Sequence, residues 1–220
     1  MFNSHKHIVA TNEVRAELNK RQLAKLSPIM SVPPSDDGTR NVDPNDYNDN
    51  DSFTNDRPQL YAIGAKVMLT ANLWTEAGLV NGSCSVVDDI IKPEDDSVAR
   101  IVMVNFPGYR RLSLSPSRLN VVPVTQISTT NSNGFPLSLA WAITIHKSQG
   151  MMLYHVTVDL GCNEFASGLT FVALSRMRTF GSLRVEQFDF SCFKRIERGR
   201  HVEVRHDKFE RLRCLAHNPP

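Results

Sequence analysis

The sequence of 220 residues has no Gly-x-x-x-x-Gly-Lys-Ser/Thr phosphate loop. Among its eleven glycines the only Gly-x-Lys is Gly64-Ala65-Lys66, within a strand-like run. No strand pattern ends in the Asp-Glu pair that would hold magnesium, since Asp88-Asp89 follows Val86-Val87 in a different setting. The chain therefore has nothing of its own to cradle a nucleotide. It also has no Gly-x-Ser-x-Gly elbow and no zinc spacing. Cysteines are few: Cys84, Cys162, Cys192 and Cys214 fit neither a paired zinc knuckle nor a redox Cys-x-x-Cys. Free thiols in a reducing, intracellular compartment are expected. Met1 to Val14 is too polar for a secretory signal, and no apolar run is long enough to span a membrane, so no membrane partner is expected. Net charge is only +2, which excludes global polyelectrolyte attraction and leaves any nucleic-acid site as a local patch. With 41% hydrophobic and 22% charged residues, the composition is that of a soluble globular protein.

What is present reads as alternating strands and helices. Ile8-Val9-Ala10 is a short strand, and Thr11-Asn12 offers a cap for a following helix. Val14 and Leu18 share one helix face, while Leu23 and Leu26 fall on another, which predicts a break near Lys20. Residues 31–58 are rich in Asp, Asn, Pro and Ser and are predicted to be a disordered loop. They lack the twelve-residue calcium-loop pattern with its terminal Glu. Ile63, Ala65, Val67 and Leu69 alternate as a strand. Asn81-Gly82 is a turn signal, and short strands follow at Val86-Val87, Ile90-Ile91, Arg100 to Phe106 and Leu119 to Val124. That spacing predicts a small β-barrel over about 80–135.

The segment Leu139 to Leu160 reads as strand, polar break, strand. Thr144 and His146 are placed on one strand face, opposite Leu139, Trp141, Ile143 and Ile145. The break is His146-Lys147-Ser148-Gln149-Gly150. Polar residues beyond a strand end of an open α/β sheet occupy its ligand crevice. Lys147 offers a point charge for phosphate, and His146 and Ser148 can bond phosphate oxygens. Gln149 both donates and accepts, and Gly150 admits close backbone approach. A plain polar loop between strands explains the same residues. Further on, Leu169 to Leu174 is a short apolar helix ending at Ser175-Arg176. A guanidinium there requires a carboxylate, a phosphate or water, and a surface salt bridge is the simplest partner.

Three stretches in order, LYAIGAKVMLTANLWTEAGLVNG (60–82), LSLAWAITIHKSQG (137–150) and GLTFVALSRMRTFGSL (168–183), resemble the C-terminal half of the PIF (petite integration frequency) helicases. These are ATP-dependent DNA helicases of superfamily one, related to RecD and to the helicase part of Helitron transposons. The resemblance implies an α/β fold: the second RecA-like (P-loop NTPase-type) helicase domain, with a small Src-homology-three-like β-barrel inserted. The implied organisation is 1–79 as the first part of that domain, 80–135 as the barrel, 136–198 as the remainder, and 199–220 as a charged tail.

The same resemblance implies roles. Arg176 matches the arginine finger, and Gln149 and Gly150 match the motif facing the γ-phosphate. Thr144, His146 and Lys147 match positions along single-stranded DNA. Trp74 is a candidate for base stacking, whereas Trp141 reads as core. Met152 departs from the family pattern, which commonly has Thr there. ATP and Mg2+ are implied only together with a first RecA-like domain, in cis or in trans. The expected function is the C-terminal half of a 5'-3' DNA helicase that does not hydrolyse ATP alone. Nuclear or mitochondrial location, and roles in replication, repair, recombination and telomere maintenance, follow by analogy. The alternative is a non-catalytic single-stranded nucleic-acid-binding module or a transposon-derived remnant.

Overall fold

The computed structural model describes residues 5–32, 59–92, 101–109, 111, 118–129, 132–159, 169–186 and 208. Residues 33–58 of the loop expected over 31–58, Gly168, and the charged tail expected over 199–220 apart from residue 208 lie outside them. In chain order the strands are β1 (Lys6–Val9), β2 (Met30–Val32), β3 (Gln59–Tyr61), β4 (Lys66–Leu69), β5 (Cys84–Ile91), β6 (Ile101–Asn105), β7 (Val121–Thr125), β8 (Ile127–Thr129), β9 (Ser132–Gly134), β10 (Leu137–Leu139), β11 (Ala142–Thr144), β12 (Val156–Asp159) and β13 (Leu183–Glu186). The α-helices whose bounds fall among the described residues are α1 (Asn12–Leu23) and α2 (Leu169–Leu174).

Two sheets organise the chain. One is parallel, in the order β11-β1-β12-β13; the other is antiparallel, in the order β10-β4-β5-β6-β7. The pairs β2–β3 and β8–β9 stand apart. The inner strands β1 and β12 and the neighbouring β11 are short and largely buried, whereas β13, LRVE, leaves Arg184 and Val185 exposed. Ile8, Ile143, Val156 and Val158 form their core, and Met68 reaches it from β4. A second core, with Val67, Val87, Val104 and Phe135, lies against the antiparallel sheet. That sheet runs past both limits drawn for the inserted segment, because β4 and β10 flank 80–135 and yet pair with each other. Pro123 sits in β7 at the sheet edge, where its missing N–H costs no ladder bond.

Helix α1 differs from its sequence reading. The Thr11 hydroxyl caps it, accepting from the Val14 amide at 3.3 Å, and it runs unbroken past Lys20. Its buried face is Arg15, Asn19 and Leu23 rather than Val14 and Leu18; Val14 is 40% exposed. The reason is tertiary. The run expected as one strand from Leu139 to His146 is divided between the two sheets, with β10 on β4 and β11 on β1. Backbone groups freed at the switch need partners. Asn19 supplies them: its Oδ1 accepts from the Ala142 amide at 2.9 Å, and its Nδ2 donates to the Ala142 and Leu139 carbonyls at 3.1 and 3.3 Å.

Other expectations shift for local reasons. Gly64 has φ +84 and opens a turn in which the Ala65 amide bonds the Ala62 carbonyl, so β4 begins at Lys66 and not at Ile63. Val86 to Ile91 is one strand with an irregularity between Val87 and Asp89, not two strands. Asp88 and Asp89 meet Arg118 at 3.5 and 3.4 Å. Ser31 and Val32, expected within the loop over 31–58, instead pair with Leu60 and Gln59.

His7 lies half-buried in central β1. Burial, the largest effect, holds its pKa below the ordinary histidine value; Glu186 opposes the shift, and His5 and Arg184 add to it. The folded state therefore binds the proton less readily than the unfolded chain. Stability is retained above about pH 6.5 and declines as pH falls through that value toward the lower folded pKa. Thermal melts from about pH 7.5 to 5.5 will show Tm falling, with a shallower slope in His7→Gln. Equal slopes would remove His7 as the cause.

Candidate functional site

The carboxyl ends of β11, β1, β12 and β13 are in register, with Thr144 beside Val9, Val9 beside Asp159, and Asp159 beside Glu186. Beyond Thr144 the chain does not continue as strand. It winds through a series of turns: the Ser148 amide bonds the Thr144 and Ile145 carbonyls, the Gln149 amide bonds the His146 carbonyl, and the Met151 amide bonds the Ser148 carbonyl. Gly150 completes the turn at φ +83, a conformation that side-chain-bearing residues rarely adopt.

This winding sorts the polar residues. His146, Gln149 and Gly150 are exposed and Lys147 is half-buried. Thr144 is only 7% exposed, so it does not share an open strand face with His146. Ser148 is wholly buried, and its hydroxyl donates to the Ile145 carbonyl at 2.7 Å. It builds the turn and is not available to a phosphate, contrary to the sequence reading.

Arg176 lies just past α2. Its Nε donates to the Val172 carbonyl at 2.9 Å and one Nη donates to the Ser175 hydroxyl at 2.7 Å. These bonds satisfy a helix-end carbonyl that the helix itself leaves open. Among the described residues this folded-back arrangement stands where a surface salt bridge was expected. The polar turn and the Arg176 segment are joined through Leu153. Its amide bonds the Arg176 carbonyl at 2.8 Å, and its carbonyl accepts from the Arg178 amide at 3.4 Å.

Arg178 was not singled out from sequence, although it lies two places after Arg176. Its guanidinium donates to the Tyr154 hydroxyl at 2.9 Å and to the Met152 sulfur at 3.1 Å. Met152, where a hydroxyl was expected, thus has a polar partner. Trp141 is 9% exposed and belongs to the core. Trp74 is 45% exposed with the Arg111 guanidinium 5.5 Å from its ring centre, a stacking arrangement. The turn at Asn81-Gly82 is held by the Asn72 side chain, which accepts from the Asn81 amide at 2.8 Å.

Among the described residues no three His, Cys, Asp or Glu gather closely enough to hold a metal ion. One amide side chain and one folded-back guanidinium do not make a phosphate cradle. The residues present do not by themselves fit an ATP–magnesium site.

No family profile matches the chain. It is 39% identical over 132 residues to "ATP-dependent DNA helicase PIF1" of Danio rerio, a match covering 58% of this chain and 19% of that protein. The crystal structure of Pif1 helicase from Candida albicans superposes with a TM-score of 0.63 at 26% identity, covering 86% of this chain and 46% of that one. Bacteroides Pif1 bound to ssDNA has a TM-score of 0.58 over 93% of this chain and 47% of that one, and at 22% identity it supports the fold alone. The chain thus spans about a fifth of the curated relative and under half of the solved helicases. The mixed sheets and these neighbours establish an α/β helicase fold, and over 58% of its length this chain is a relative of the PIF-family helicases.

Proposed function

We propose that this chain supplies the second RecA-like domain, the C-terminal half, of an ATP-dependent 5'-3' DNA helicase. The observation that carries the reading is the double main-chain tie through Leu153, which couples the exposed Gln149-Gly150 turn, beyond the carboxyl end of β11, to the Arg176 segment that follows α2. In this reading Gln149 and Gly150 face the γ-phosphate. Arg176 leaves the Val172 carbonyl and the Ser175 hydroxyl to act as the arginine finger. A P-loop domain, in cis or in trans, supplies the phosphate cradle and the Mg2+ ligands, so this chain alone does not hydrolyse ATP. The antiparallel sheet carries the Src-homology-three-like barrel. Nuclear or mitochondrial location, and work in repair, recombination or telomere maintenance, belong to the same proposal.

Single-stranded DNA is the partner. His146 and Lys147 are exposed or half-exposed beyond the strand end and would meet its phosphates, while buried Thr144 positions them. A Bacteroides relative of the same fold is bound to ssDNA. Anisotropy titrations of labelled oligo-dT against salt test this. Affinity should fall steeply with salt, and the joint variant His146→Ala/Lys147→Ala should flatten the log–log slope by about 0.7 for each phosphate no longer neutralised. Absent or salt-insensitive binding removes the DNA track. The lack of a phosphate loop also suits a non-catalytic binding module. Salt-dependent binding with no ATPase after a P-loop domain is added would favour that module.

A further inference from the structure

Cys84 opens β5 at the surface, and its sulfur faces an unusual neighbour. Lys6, at the start of β1, is 6% exposed and directs its ammonium onto the Cys84 sulfur at 2.5 Å. The thiol in turn donates to the Gly82 carbonyl at 3.4 Å. Lys66 lies close by; its pKa is lowered first by burial and then by the charge of Lys6. Among the described residues no carboxylate pairs with either lysine. A buried ammonium without a carboxylate is costly, and among the described residues its one polar side-chain partner is sulfur. The contact joins β1 of the parallel sheet to β5 of the antiparallel sheet.

We propose that Cys84 is an oxidative modification site, and that Lys6 captures the oxidised sulfur as a nitrogen–sulfur cross-link between the two sheets. The oxidant is a peroxide. The sulfur attacks one peroxide oxygen, the O–O bond breaks, and the leaving hydroxide takes the thiol proton as water. Cys84 is then a sulfenic acid. The Lys6 ammonium stabilises the negative charge that develops on sulfur during attack. In the second step the Lys6 ammonium first gives one proton to solvent, and the neutral amine then attacks sulfur as the S–O bond breaks. The departing hydroxide leaves as water with a second proton from the nitrogen. Sulfenic acids condense with nitrogen in this way where one is held in reach. The cross-link also removes the Lys6 charge, which relieves its repulsion of Lys66. A thiol reductant restores both side chains. The chemistry at Lys6 and Cys84 is independent of the helicase reading.

The test is peroxide treatment of the whole chain followed by peptide mapping. The expected product joins the Lys6 and Cys84 peptides with the loss of two hydrogens, is cleaved by reductant, and is absent in Cys84→Ser. In Lys6→Arg the cross-link is absent and a dimedone adduct of the sulfenic acid appears at Cys84. Wild-type chain alone is decisive if that variant misfolds. Oxidation of Cys84 no faster than of Cys162, Cys192 and Cys214 overturns the site. Cys84 joined to another cysteine, joined to Lys66, joined to Lys6 with an oxygen retained, or trapped by dimedone in the wild type without a cross-link overturns the capture by Lys6.

Discussion

Asn19→Leu will destabilise the chain by about 3 kcal/mol or more, since several buried backbone groups lose their partners together. Leucine shares asparagine's branching at Cγ and is the larger residue, so the loss is not that of a cavity. The Ala142 amide and the Leu139 and Ala142 carbonyls lie in a buried crossover that water does not reach; Leu139 is 2% exposed and Ala142 is fully buried. Asn19→Asp keeps the acceptor for the Ala142 amide and loses both donors, while bringing a carboxylate toward two carbonyl oxygens. It should be at least as damaging near neutral pH. Urea melts of the three proteins decide the matter. A loss under about 1 kcal/mol for Asn19→Leu would show that the crossover is held by other contacts.

Arg176→Ala is expected to lower ATP turnover about a thousandfold once a P-loop domain completes the enzyme, with little change in the stability of this chain. The two effects separate the roles. In the folded-back state Arg176 makes two side-chain bonds, to the Val172 carbonyl and the Ser175 hydroxyl, and their loss at a part-exposed site costs about 1 kcal/mol. A residue serving only as a helix-end cap would show that modest loss and no turnover defect. A finger shows the turnover defect, and Arg176→Lys does not restore it, because an ammonium cannot reproduce the planar fork of donors. Steady-state ATPase assays alongside thermal melts provide both readings. Unchanged turnover in Arg176→Ala ends the finger assignment.

The two residues illustrate how unevenly the sequence disclosed the molecule. The α/β character, the apolar runs that became β1, β11 and β12, and the polar turn at His146 to Gly150 could all be read from local pattern. Alternation, apolar runs and glycine placement are properties of neighbours along the chain, and a short window captures them. The buried face of α1 was not readable. Apolarity pointed to Val14 and Leu18, whereas the packing used Arg15, Asn19 and Leu23. Asn19 is buried because residues far along the chain leave one sheet for another and need hydrogen bonds there. No helical window contains that requirement.

The same division runs through the candidate site. Gln149, Gly150 and Arg176 were chosen from sequence through resemblance to a family. Their connection through Leu153 depends on a bridge between segments that are distant in sequence. Ser148 was offered as a phosphate ligand because a hydroxyl in a polar run resembles one. Burial decided otherwise, since a wholly buried hydroxyl must find a partner, and the Ile145 carbonyl was at hand. Arg178, Tyr154 and Met152 carried no shared pattern, and only the fold brought them together. Nor did anything local connect Lys6 with Cys84, whose strands lie in different sheets. By itself the sequence determined that the runs of β1, α1, β11 and β12 take regular structure and where the polar turn lies, because backbone preference and side-chain periodicity act over a few residues. Tertiary structure decided which polar groups are spent on holding the chain and which remain for chemistry, because burial and hydrogen-bond demand are set by residues far apart in sequence.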